Sequence, residues 1–144
     1  MQRRLNDLVT VSPQITVDDL AAIKAAGFRA VVAARPDGEA PGQPSAAEIA
    51  SAAEAAGLVF RHVPMRGPQV DPDDVAAYAQ MLKEGSIFTY CGAGPRAVLL
   101  TSLAEILNGN SVEAVIAQAA EAGFDLSPAL PLLESYASER DGTA

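Results

Sequence analysis

The chain holds a single cysteine, Cys91, within "TYCGAGPRAVLL" (89–100), five places before Arg96. An apolar run ends on the thiol, two glycines follow, and the arginine opens a stretch that reads as a helix. Successive backbone N–H groups in such a turn, together with the positive end of a helix dipole, form a cradle for an oxyanion. Gly92 and Gly94 let the backbone curl and approach a ligand closely. Arg96 adds a permanent cation whose forked donors match a tetrahedral oxyanion. A field that holds an anion also favours a thiolate, the form of cysteine that attacks. A free cysteine at the end of a buried strand is more often a small hydrophobe than a nucleophile. The glycines and the arginine at this spacing reverse that balance. Cys91 is expected to be a nucleophile in an anion-binding Cys-x4-Arg loop built from Gly92, Ala93, Gly94, Arg96 and Ala97.

The loop needs a frame, and the chain alternates strand and helix signals. "DLVTVSPQI" (7–15) reads as a strand, followed by a helix capped by Thr16 and stopped at Gly27. "FRAVVAAR" (28–35) is a buried strand, and "PDGEAPGQP" after it is too rich in Pro and Gly for a regular element. Ser45 caps a second helix, "LVFRHVP" (58–64) is a third strand, and Asp71 caps a helix with Pro72 at its first position. "SIFTY" (86–90) is the fourth strand, and helices follow from about Arg96, Ser111 and Ser127. This pattern implies right-handed βαβ units. The expected fold is α/β, a small, mostly parallel four- to five-stranded sheet with helices on both faces, the first strand being free to pair differently. One domain, 1–144, is expected, with the C-terminal helices over 111–138 packed on it.

Ligands of such sheets bind beyond the carboxyl ends of the strands. Three loops should therefore converge there: "ARPDGE", "HVPMRGP" and "CGAGPR". Arg35 and Arg66 could add positive charge at the cradle edge, with Glu39 pairing to either, although surface ion pairs of no energetic consequence are as common. His62, inside the third strand, reads as a core or edge residue, and Tyr90 as packing against a helix. Asp71 and Asp73 read as helix-start residues.

Composition narrows the function classes. A net charge of −8 and a pI near 4.5 argue against nucleic-acid or anionic-membrane binding. One cysteine and one histidine forbid an internal disulfide and leave no spacing signature for zinc. Neither a metal nor another cofactor is implied. The start, "MQRRLNDLVTV", lacks the apolar run of a signal peptide and no stretch reaches transmembrane length, so the cytoplasm is the expected compartment.

From about Leu8 to Leu107 the chain resembles the beta-lactamase-hydrolase-like phosphatase domain family, small bacterial domains similar to dual-specificity phosphatases. The resemblance rests on "VSPQIT", Gly27–Phe28, "RPDGEAPGQP", "AAEAAGL", "HVPM" and the cysteine loop; the "RPDGE…GQP" piece with that loop is the specific part. It implies a cysteine-phosphatase-like fold with a thiol nucleophile; some members are described as phosphatases and others as sulfurtransferases. In similar enzymes the general acid follows the strand before the cysteine strand, where this chain has Met65 and Arg66. Asp37 is then the alternative acid, against its plainer reading as a turn residue before Gly38. The family loop resembles Cys-Arg-Ser-Gly-Thr-Arg-Ser; here Pro95 removes an N–H donor and Ala97 a hydroxyl. Three readings follow: a phosphatase-like hydrolase acting on a small phosphate ester, a rhodanese-type sulfurtransferase carrying a persulfide on Cys91, and a non-catalytic anion or partner-binding module. In the first two the partner is a small anionic substrate, a phosphate ester or a sulfane-sulfur donor.

Overall fold

A computed structural model describes residues 2–142. Five strands form one sheet: β1 (Arg3–Arg4), β2 (Val9–Ser12), β3 (Ala30–Ala33), β4 (Val59–His62) and β5 (Ile87–Tyr90), in the order β1-β2-β5-β3-β4. β2, β5, β3 and β4 run parallel and end in one row, Ser12, Tyr90, Ala33 and His62. The strand read as first, β2, is thus parallel like the rest. The antiparallel member is β1, a pair of exposed arginines without apolar alternation to announce it. Charge on an edge strand discourages further pairing.

The helices are α1 (Leu20–Ala25), α2 (Ala46–Ala55), α3 (Pro72–Leu82), α4 (Pro95–Leu107), α5 (Val112–Glu121) and α6 (Leu130–Arg140). Short 3-10 turns, Val17–Asp19 and Ser127–Ala129, lead into α1 and α6. Three of the expected caps accept a backbone N–H, Ser45 from Glu48, Asp71 from Asp73 and Ser111 from Ala114, while Thr16 donates its own N–H to Asp19 Oδ2 (2.8 Å). None of these helices is long and apolar enough to cross a membrane.

Strand alternation divides the core. Ala30 and Val32 of β3 face the larger cluster with α3, α4, α5 and α6, while Val31 and Ala33 face the smaller one with α1 and α2. β3 and β5 are buried at every position, as central parallel strands are. α4 is buried continuously from Ala97 to Ile106, which its nearly all-round apolar sequence permits. Glu105 near its end is a buried exception. Burial pushes its carboxyl up, and the group accepts hydrogen bonds from Asn6 Nδ2 (2.7 Å) and Gln118 Nε2 (2.8 Å), tying the N-terminal segment and α5 to α4.

A second buried polar group fixes α4 against the sheet. Thr101 Oγ1 donates to the Ala97 carbonyl (2.9 Å), so its contact with Tyr78 Oη (2.8 Å) is one in which tyrosine donates. Tyr78 Oη then accepts from Thr89 Oγ1 of β5 (2.6 Å). Burial pushes the Tyr78 phenol up to about 12, so it stays a donor at any working pH. Tyr78→Phe leaves the Thr89 hydroxyl without its acceptor and is expected to cost about 1–3 kcal/mol. Urea unfolding should show a lower midpoint at an unchanged slope; an unchanged midpoint would refute the role given to this chain of hydroxyls.

Candidate active site

Cys91 follows β5 directly, and its N–H donates to the Ser12 carbonyl at 3.1 Å, which carries the sheet register one residue into the loop. The chain then turns sharply. Gly94 adopts φ +119, and its N–H donates to Cys91 Sγ at 3.0 Å. A Cβ on Gly94 would also come within 3.3 Å of the Phe124 ring. At Gly92 the constraint is space: a Cβ there would lie 3.1 Å from Arg96 Nη2 and 3.4 Å from Arg35 Nε. Two guanidinium groups therefore lie over the loop, and glycine leaves room for both. Pro95 occupies the first turn of α4, where its missing N–H costs the helix nothing.

Arg96, at the start of α4, joins the other two loops. Its Nη1 donates to Glu39 Oε2 and to the Met65 carbonyl, both at 2.8 Å, and its Nη2 donates to Glu39 Oε1 at 2.8 Å. Arg35 Nε donates to the same Glu39 Oε1 at 2.9 Å, and Arg35 Nη1 to Gln14 Oε1 at 3.1 Å. The loops after β3, β4 and β5 therefore meet on one guanidinium. The hydrogen bond from Arg96 is the main reason the Glu39 carboxyl is held down at about 2, with Arg35 adding to it. Glu39 also raises Arg96, and the nearby Cys91 does so to a smaller extent. Cys91 itself has 0% of its surface exposed.

The Pro/Gly-rich segment after β3 is knitted despite lacking regular structure. Gln43 accepts from Glu39 N–H (3.1 Å) and donates to the Pro36 carbonyl (2.9 Å). His62 Nε2 donates to the Arg35 carbonyl at 2.8 Å, so the histidine at the end of β4 holds the neighbouring loop. It can do so either neutral, with the proton on Nε2, or charged.

The other expected residues fall into two groups. Arg35 is at the cradle. Ala97 is buried beneath it, and Ala93 is exposed on the turn. Asp37 is differently engaged: its carboxylate accepts from Ala46 N–H (2.8 Å) at the start of α2. The carboxylate joined to both guanidinium groups is Glu39. Arg66 is exposed on a tight turn closed by paired backbone bonds with Gln69, and its neighbour Met65 supplies the contact to Arg96 through the main chain. Tyr90 packs in the smaller core, where burial pushes its phenol well up. Gln14 and Phe124 were not singled out by residue type, and nothing local in the sequence distinguishes them.

A thiol beneath a backbone donor, with two arginines over the same turn, can attack a tetrahedral centre and hold its oxygens. Comparison with known proteins gives the chain a family and its fold relatives. Residues 2–108 match the family model of the beta-lactamase hydrolase-like protein, phosphatase-like domain. The chain is 37% identical over 134 residues to the beta-lactamase hydrolase-like protein of Agrobacterium fabrum, covering 91% of this chain and 31% of that protein. It is 32% identical over 136 residues to the protein of the same name from Xylella fastidiosa, covering 92% and 32%. It thus spans about a third of the length of these curated relatives. Among solved structures, a phosphatase candidate from Neisseria meningitidis superposes with a TM-score of 0.75 at 28% identity, covering 93% of this chain and 96% of that one. PTPMT1 superposes with a TM-score of 0.81 at 13% identity, covering 99% and 97%, a likeness of fold. Matched along most of its length, this chain belongs to the family of phosphatase-like domains of beta-lactamase hydrolase-like proteins.

Proposed function

We propose that the protein is a cysteine-dependent phosphatase acting on a small phosphate ester. The observation that carries this reading is Cys91 Sγ accepting the Gly94 N–H while Arg96 lies over the same turn. Sγ attacks phosphorus, the bond to the ester oxygen breaks, and the alcohol leaves. Arg96 and the loop N–H groups hold the non-bridging oxygens. Water then cleaves the phosphorus–sulfur bond, releasing inorganic phosphate and restoring the thiolate. Aryl phosphates, whose leaving groups need little protonation, should be turned over better than alkyl ones.

A second reading is favoured by Ala97, which has no hydroxyl to assist departure of the thiolate, and by Met65 and Arg66, which put no acid on the loop after β4. Sulfur transfer needs neither group. The thiolate would take the outer sulfur of thiosulfate with release of sulfite, and the persulfide would pass that sulfur to cyanide as thiocyanate. Intact mass decides between them. Turnover of aryl phosphate, with no sulfur gained from thiosulfate, supports the phosphatase. A stable gain of one sulfur, lost on adding cyanide, without phosphate release, would replace it.

A further inference from the structure

Resting on the phosphatase reading, we infer that Glu39 is an internal occupant of the oxyanion site, so that a ligand reaches Cys91 only by displacing a carboxylate. The argument is atomic. The guanidinium nitrogens closest to Gly92, Arg96 Nη2 and Arg35 Nε, are the two that donate to Glu39 Oε1. The donors aimed over the loop are therefore already spent on an anion of the protein's own. The thiol below has no exposed surface, so access requires this arrangement to open. Arg96 keeps its second contact, Nη1 to the Met65 carbonyl, and would stay in place when Glu39 leaves.

Charge then sets the substrate class. Glu39 is tethered by a braced loop, which gives it the high effective concentration of an intramolecular ligand. A monoanion replacing it exchanges one negative charge for another and has to overcome that tether. A dianion gains an additional charge against two guanidinium groups. The site should accept dianionic phosphate monoesters and resist diesters and sulfate esters, which carry a single charge.

The test reads alkylation of Cys91, the sole thiol, so it does not depend on turnover. Iodoacetamide labelling of wild type and Glu39→Gln would be followed with inorganic phosphate at pH 8 and with dimethyl phosphate as protectants. In Glu39→Gln, labelling without anion should be several-fold faster, and half-protection by phosphate should need about tenfold less anion, a coupling of about 1.4 kcal/mol. Dimethyl phosphate should protect the variant at concentrations that leave the wild type unprotected. Slower labelling, or protection unchanged or weaker in the variant, would overturn the inference and leave the phosphatase reading intact, with Glu39 as a support for Arg96. Failure of every anion to protect either protein would overturn both. Glu39→Asp keeps the charge on a shorter arm and should fall between the two; circular dichroism checks that each variant is folded.

Discussion

Cys91→Ser should lower aryl phosphate turnover by a factor on the order of 10³ or more while leaving the far-ultraviolet circular dichroism unchanged. The asymmetry follows from what the sulfur does at rest and in reaction. At rest it accepts one hydrogen bond, from Gly94 N–H, and fills a site with no exposed surface. A serine oxygen can accept the same bond in a slightly smaller volume, so the turn should persist. In reaction the group must attack as an anion, and a hydroxyl lacks both the ionisation and the nucleophilicity of a thiolate. A steady-state assay with an aryl phosphate checks this directly. A variant retaining the wild-type rate would rule out a covalent intermediate at this residue.

The second large effect is expected at Arg96. Arg96→Ala removes the forked cation and the join between three loops, and kcat/KM should fall by about 10²–10³. Arg96→Lys separates these roles, because an ammonium keeps the charge but offers a point instead of a planar fork. It cannot span both Glu39 oxygens and the Met65 carbonyl as the guanidinium does. The lysine variant should recover only a small part of the lost rate. Full recovery would mean that charge alone is needed and that the fork geometry is incidental; titration with aryl phosphate distinguishes the cases.

The central strands and the caps were legible because their signals are local. "RAVVA" and "SIFTY" are dense apolar runs bounded by breakers, and Ser45, Asp71 and Ser111 precede helical stretches. β1 was not legible, since two arginines join the sheet only through the backbone of β2. At the site, Cys91, Arg96 and the glycines announce themselves by spacing. Glu39 was expected to pair with Arg35 or Arg66 and does pair with Arg35, but its bridge to Arg96 had no signal. Asp37 and Glu39 lie two residues apart in one loop, and no periodicity in that irregular segment says which will face the arginines. The fold settles it by placing Asp37 at the start of α2 and Glu39 over the turn. Gln14 and Phe124 are beyond sequence reasoning for the same reason, as contacts made across long separations in the chain.

The Phe124 ring against Gly94 bears on modularity. The family model ends at residue 108, yet the aromatic wall of the cysteine turn comes from the connection between α5 and α6, inside the longer stretch that the curated relatives match. A segment that carries this turn intact therefore extends past the stretch that the family model covers. Transplanting residues 2–108 alone would move the cysteine turn without the ring that lies against Gly94.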